Sequence, residues 1–391
     1  MSKLKLAFVT GTRADYGKLK SLMKICDKDL DIETHIYVTG MHLLDKYGYT
    51  YNDILSDGYK NIHTSEIFNE SDRMDENLAH TILALSSFVK ETPVDLLVVH
   101  GDRIEPLAAA SVGVLNNIRV AHIEGGEVTG TADEFMRHAI SKLSSFHFVA
   151  NNESMYRLIQ MGETEESIYI IGSPDIDIMV TENLPIFDEV IKKYKIPFNE
   201  FAIFIYHPVT TSFDIKAEME QIVSAIQDSK LNYIIINPNN DHGADTIREM
   251  LKPLKSNSRF MSFNSIVFED FLTLLKNCDF IIGNSSAGVR EACVYGIPAI
   301  DIGSRQNKRY IPKALRNIQH AKEVKEDILS AIQQVNKHRH VSYYWGNGHS
   351  ANEFLKSIKN LGINEKDLQK TFVAMDATNE AIMNYINEVC F

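Results

Sequence analysis

Cysteine is scarce in this chain of 391 residues: Cys26, Cys278, Cys293 and Cys390 stand far apart, with no CxxC pair among them. That usage offers neither a zinc site nor a disulfide framework, and a reducing cytoplasm is the expected location. No run of about 18 apolar residues is available to span a membrane. The opening MSKLKLAFVTGTR also holds too short an apolar stretch for a signal peptide. Neither export nor a membrane partner is therefore expected. Basic residues are in deficit, 40 against 52 acidic, for a formal net charge of -12. Such a balance argues against a nucleic-acid or anionic-membrane surface. Any anionic ligand must then find local donors. GxGxxG, GxxxxGK[ST] and HExxH are missing as well, so no dinucleotide fingerprint, no P-loop and no metal site is expected.

What the chain does have is 44% hydrophobic content over a length that suggests two domains. Short apolar segments recur, each followed by helical spacing: LKLAFVT, IETHIYVTG, DLLVVHG, IRVAHIEGG, FHFVAN and SIYIIGS. After a polar, proline-containing stretch from about Thr181 to Glu200, the cycle restarts with FAIFIYHP, NYIIINPNN, SRFMSF, DFIIGNSS and IPAIDIG. Strands that are apolar on both faces and alternate with helices build a parallel sheet covered on both sides. The expected class is α/β, with two Rossmann-like domains facing across a cleft: residues 1–180, then 181–365. A helical tail over 366–391 is expected to pack back on the first domain.

Ligands of open α/β sheets lie outside the carboxyl ends of the strands, and there the charged residues gather. FVTGTRADYGKL sets Arg13 and Lys18 within reach of a phosphate; a solvated turn is the plainer alternative. VVHGDRIEPLAAA places Asp102 and Arg103 between a strand and a helix, where Asp102 could equally be an N-cap. In HIEGGEVTGTADEFMRHAISKL, Thr131 and Glu134 fit a capping box, whereas Glu124 has no evident structural duty. Adjacent strands would bring Glu124 and Asp102 together, and paired acids can be driven to different protonation states. DFIIGNSSAGVREACVYGIPAIDIG ends a strand at Gly283 and starts a helix at Ser285 and Ser286, an anion site suited to a diphosphate. Glu291 further along could accept hydrogen bonds from a ribose or stand as an ordinary helix residue. IYHPVTT and INPNNDHG add His207, Asn239, Asp241 and His242 on strand-end loops.

Taken together and in order over about residues 4 to 310, TGTRADYGKL, VTGMHL, HGDR, HIEGGE, RHAISKL, YHPVTT, PNND and GNSSAGVREA resemble the hydrolysing UDP-N-acetylglucosamine 2-epimerases of bacterial sialic-acid pathways. The resemblance implies a glycosyltransferase-B-like fold, UDP held mainly by the second domain, and no cofactor or metal as reactant. It implies anti elimination of UDP to 2-acetamidoglucal, then syn hydration to N-acetylmannosamine. It assigns acid and base roles to Asp102, Glu124 and Asp133, counts His207 with them among the catalytic residues, and puts His207 near the diphosphate. Arg13, Gly17, Arg103, Asn239, Ser285, Ser286, Glu291 and Arg305 would contact substrate. Relatives carry Ser where this chain has Gly17, so a hydroxyl contact is lost there. A homodimer or homotetramer is the implied assembly.

A neighbouring branch acts on UDP-2,4-diacetamido-2,4,6-trideoxyglucose for legionaminic acid, and the motifs around HGDRIEPLAAA and RHAISKL serve both. From another class, a UDP-sugar sensor or a glycosyltransferase could use the same scaffold; neither would alter C2.

Overall fold

A computed structural model of the chain describes residues 3–45, 48–64, 73–128, 133–180, 184–209, 214–238, 243–363 and 369–373. The chain divides into two compact units. Unit 1 joins Met1–Val180 to Trp345–Phe391, and unit 2 is Thr181–Tyr344.

Unit 1 is built on strands β1 (Leu4–Thr10), β2 (Ile32–Val38), β3 (Asn61–Thr64), β4 (Leu96–His100), β5 (Arg119–Ile123), β6 (Phe146–Val149) and β7 (Ile168–Ile170). They form one parallel sheet in the order β3-β2-β1-β4-β5-β6-β7. Successive side chains of a strand point to opposite faces, and β1 divides accordingly. Leu6 and Phe8 enter one core with Tyr16, Leu19 and Leu22 of the helix Arg13–Lys28. Ala7 and Val9 enter the other, with Leu85 and Phe88 of the helix Met74–Glu91.

Unit 2 repeats the plan with β8 (Ala202–Ile205), β9 (Tyr233–Ile236), β10 (Phe260–Phe263), β11 (Ile281–Gly283), β12 (Ala299–Ile302) and β13 (Ile318–Ala321). Their order is β10-β9-β8-β11-β12-β13, again parallel throughout. In each unit the order reverses beside the first strand, at β1/β4 and at β8/β11. That reversal opens the crevice where such sheets hold ligands.

Two strands fall outside the apolar segments picked out above: β3, NIHT, and β13, IQHA. Both are four-residue edge strands, and their side chains are mostly half-buried or exposed. An edge strand has one partner and one wet face, so it needs no apolar run.

The division of the C-terminal region also differs from expectation. The chain rejoins unit 1 at Trp345, so residues 345–365 belong there and not to the second domain. The helix Ser350–Asn360 buries Phe354 and Ile358 in the core of the first sheet, with the Phe354 ring 4.7 Å from Phe148 and 6.1 Å from Phe8. Burying one phenylalanine contributes about 2–3 kcal/mol. Asp177 caps this helix, accepting from the backbone N–H groups of Ser350 at 2.9 Å and Ala351 at 2.7 Å. Helical periodicity reveals an apolar stripe but not which sheet receives it. Most of the tail at 366–391 lies outside the described residues.

Candidate active site

The turn after β1 is fixed by a carboxylate. Thr12 caps the helix Arg13–Lys28 and forms a capping box with Asp15. Buried Asp15 also accepts from the Thr10 hydroxyl at 2.8 Å and from the Gly11 and Thr12 N–H groups at 3.0 and 2.9 Å. Arg13 stands exposed at the head of the helix. One turn on, a Cβ at Gly17 would meet nothing within 4 Å. Lys18, expected to meet substrate, turns its ammonium onto protein carboxylates: 3.0 Å from Glu124 and 3.2 Å from Asp175.

Glu124 directly follows β5, at φ +60, in the left-handed region that non-glycine residues seldom occupy. Such strain persists where the surroundings over-determine it, and here they do. Its N–H donates to the Phe148 carbonyl at 2.9 Å, and its carbonyl accepts from the Arg137 guanidinium at 2.6 Å. One carboxylate oxygen meets Lys18 and the His100 Nε2, each at 3.0 Å; the other accepts from the Ser173 hydroxyl. Only 3% of the residue is exposed.

Arg137 joins the two acids that adjacent strands were expected to bring together. β4 and β5 run side by side, with His100 opposite Ile123, so Asp102 and Glu124 emerge from neighbouring strand ends. The Arg137 guanidinium bonds the Asp102 carboxylate with one amino group and the Glu124 carbonyl with the other. Asp102 is therefore not a cap; Arg103 holds the N-cap position of the helix Ile104–Leu115 without a side-chain bond. Asp133 opens the helix Asp133–Leu143, four residues before Arg137 and so on the same helix face. Thr131, the proposed start of a capping box, lies outside the described residues, and Glu134 pairs with His138 at 3.2 Å.

His122 is wholly buried and serves the same edge. Nε2 donates to the Gly101 carbonyl at 2.7 Å, which leaves Nδ1 to accept from the Ser141 hydroxyl at 3.1 Å. Burial holds this imidazole well below its ordinary pKa against the pull of the Gly101 bond, so it stays neutral. Arg103 is exposed, with Nη2 3.5 Å from the Met41 sulfur and Nε 3.7 Å from buried Glu105. Glu105 fills the space left by Gly11 and Gly40, where an added Cβ would stand 2.5 Å and 2.6 Å from its side chain.

In unit 2 the corresponding crevice is organised by Asn284. Its side chain accepts from the His207 N–H at 2.7 Å and donates to the His207 carbonyl at 2.8 Å, clamping the turn after β8 to the turn after β11. Its own carbonyl accepts from Gln306 at 2.7 Å and Arg305 at 3.3 Å. His207, Ser285, Ser286 and Arg305 are thus gathered at one strand edge. The helix expected from Ser285 onward is two short ones, Ser286–Val289 and Glu291–Val294, broken at Arg290. So short a helix has a small dipole, and any anion affinity here would rest on individual N–H groups and side chains. Ser285 caps the first, accepting from the Ala287 N–H at 3.3 Å, and Glu291 starts the second. Asn239, with Asp241 and His242, lies outside the described residues.

Gly283 makes the clamp possible. It sits at φ +135, and a Cβ there would lie 1.9 Å from the Ile205 carbonyl oxygen, which is backbone and cannot yield. Gly283→Ala is expected to cost about 3 kcal/mol from strain and overpacking combined. Thermal melting of the variant checks this, and an unchanged melting temperature would contradict the fit.

No signal in the sequence singled out His100, Arg137, Ser173, Asp175 or Asn284 as partners of the predicted residues. Among the described residues, no group of three or more His, Cys, Asp or Glu is placed to hold a metal ion, and no helix is long and apolar enough to cross a membrane.

A family profile described as UDP-N-acetylglucosamine 2-epimerase matches residues 24–359. The chain is 43% identical over 327 residues to the UDP-N-acetylglucosamine 2-epimerase of Neisseria meningitidis serogroup B, covering 83% of this chain and 86% of the relative. It is 34% identical over 374 residues to the UDP-N,N'-diacetylbacillosamine 2-epimerase (hydrolyzing) of Legionella pneumophila, covering 94% and 98%. Among solved structures, UDP-GlcNAc 2-epimerase from Neisseria meningitidis bound to UDP-GlcNAc superposes with a TM-score of 0.77, at 18% identity, over 91% of this chain and 100% of that one.

Proposed function

We propose that this chain, which belongs to the hydrolysing UDP-N-acetylglucosamine 2-epimerase family, converts UDP-N-acetylglucosamine and water to N-acetylmannosamine and UDP for sialic-acid synthesis. The C2 hydrogen of an unoxidised sugar is weakly acidic, so a base acting alone would fail. Departure of UDP must develop positive charge at C1 while a carboxylate removes the C2 proton. The product of that anti elimination is 2-acetamidoglucal, and syn addition of water inverts C2. Both steps are redox-neutral, so neither needs a hydride carrier.

Glu124 and Asp102 act at C2 in this reading, and Asp133 in the hydration. Glu124 carries the argument: a carboxylate kept from water, on a strained backbone, held by Lys18, His100 and Ser173 at a strand end. A residue with only a packing duty would not need three polar partners and a left-handed backbone. His207, Ser285, Ser286 and Arg305 receive the diphosphate, where preorganised donors stabilise the charge that builds as UDP leaves. Arg13, Gly17, Arg103, Asn239 and Glu291 complete the substrate contacts. The assembly is a homodimer or homotetramer working in the cytoplasm.

A second reading takes UDP-2,4-diacetamido-2,4,6-trideoxyglucose as substrate. The near-complete coverage of the Legionella relative favours it. Proton NMR of UDP-N-acetylglucosamine incubated with the protein in D2O separates the alternatives. Free N-acetylmannosamine with deuterium at C2, and released UDP, is the expected result. An inert first substrate with turnover of the diacetamido sugar selects the second reading. Binding of both without turnover, or transfer to an acceptor with the C2 proton retained, overturns the epimerase assignment.

A further inference from the structure

Lys18, Glu124, Ser173 and Asp175 close a ring. The Lys18 ammonium lies 3.0 Å from Glu124 Oε2 and 3.2 Å from Asp175 Oδ2. On the opposite side, the Ser173 Oγ meets the other oxygen of each acid, Glu124 Oε1 and Asp175 Oδ1, the latter at 2.5 Å. Ser173 is wholly buried, and Asp175 is 3% exposed. The backbone holds the hydroxyl in place: the Ser173 N–H donates to the Trp345 carbonyl at 2.6 Å. Asp175 is the second residue of the short helix Pro174–Met179.

A serine hydroxyl has one hydrogen to donate, yet this one faces two carboxylate oxygens. With both acids ionised, only one of the two contacts can be a hydrogen bond, and the other opposes lone pair to lone pair. The ring is one proton short. A proton arriving on Glu124 completes it: Glu124 donates to Ser173 Oγ, and Ser173 donates to Asp175. Lys18 offsets the charge of whichever acid remains ionised.

We infer that Ser173 and Asp175 act through Glu124 as a proton relay, a role that rests on the reading of Glu124 as the C2 base. In the elimination, the C2–H bond breaks and its electron pair becomes the C1–C2 double bond. The C1–O bond breaks with its pair leaving on UDP, and the proton lands on Glu124. Glu124 passes a proton to Ser173 Oγ as the hydroxyl hydrogen of Ser173 moves to Asp175. Ser173 is unchanged, Glu124 is a carboxylate again, and the proton is stored on Asp175. Neither Ser173 nor Asp175 touches the sugar; they position the proton.

The test compares the full-length protein with Ser173→Ala, Ser173→Thr and Asp175→Asn, following UDP release in H2O, D2O and their mixtures. Ser173→Ala and Asp175→Asn should each lower kcat roughly a hundredfold with KM nearly unchanged. Ser173→Thr, which keeps the hydroxyl, should recover most of the loss. In mixed isotopic water the rate of the parent protein should curve with deuterium fraction, as two moving protons require, and that of Ser173→Ala should run straight. Undiminished kcat in both Ser173→Ala and Asp175→Asn, or a loss carried wholly by KM, overturns the relay. Asp175→Asn keeps the test decisive should a position-173 variant fail to fold. An inactive parent protein counts against the epimerase reading and is seen without any variant.

Discussion

Glu124→Gln should lower kcat by about a thousandfold, within the range that general acid and base groups contribute, while UDP binds as before. Glutamine matches glutamate in shape. Its carbonyl can accept from Lys18 and His100 where Glu124 Oε2 does, and its amide can donate to the Ser173 oxygen. The local structure is therefore retained while the capacity to take a proton is removed. UDP affinity is the internal control, because the residues assigned to the diphosphate belong to unit 2. Steady-state UDP release and calorimetric titration with UDP measure the two quantities. Turnover within tenfold of the parent would remove Glu124 from the chemistry.

Arg137→Met should damage stability and turnover together. The guanidinium is buried and serves two partners, the Asp102 carboxylate and the Glu124 carbonyl. Methionine fills similar space without a charge. Removing one member of a buried ion pair typically costs 3–5 kcal/mol; the Asp102 side chain keeps 19% exposure, so water recovers part of this and about 3 kcal/mol is expected. For a unit of this size that is a fall in melting temperature of roughly 6–12 °C. Turnover should fall about a hundredfold, because Asp102 loses the partner that aims it. Arg137→Lys should rescue neither effect fully, since a single ammonium cannot reproduce a planar fork that spans two acceptors. A variant with the parent's melting curve and rate would show that the bridge is incidental.

Strand ends carry much of what was legible in advance. The β1, β8 and β11 segments are apolar on both faces, the pattern of strands in a parallel sheet covered by helices. The glycines, acids and hydroxyls just beyond them stand out because a plain turn needs few of these. The strands β3 and β13 are not legible for the converse reason: NIHT and IQHA hold too few apolar residues to signal a strand, unlike IYI and FMSF at the other two edges. The helix expected from Ser285 is broken at Arg290 into two short ones, a break that apolar periodicity does not reveal.

The linear order of residues thus determined two α/β units, the edge at which chemistry gathers, and the acids Asp102, Glu124 and Asp133 as candidates. Tertiary structure alone decided their partners. Lys18, His100, Ser173 and Asp175 come from the helix after β1, the end of β4, and the cap and first turn of the helix Pro174–Met179 beyond β7, and no local period links such positions. Hydrophobic patterning is short-range and survives in a string of letters. A hydrogen bond between residues a hundred positions apart, such as Lys18 to Glu124, exists only once the fold has packed the helix after β1 near the end of β5.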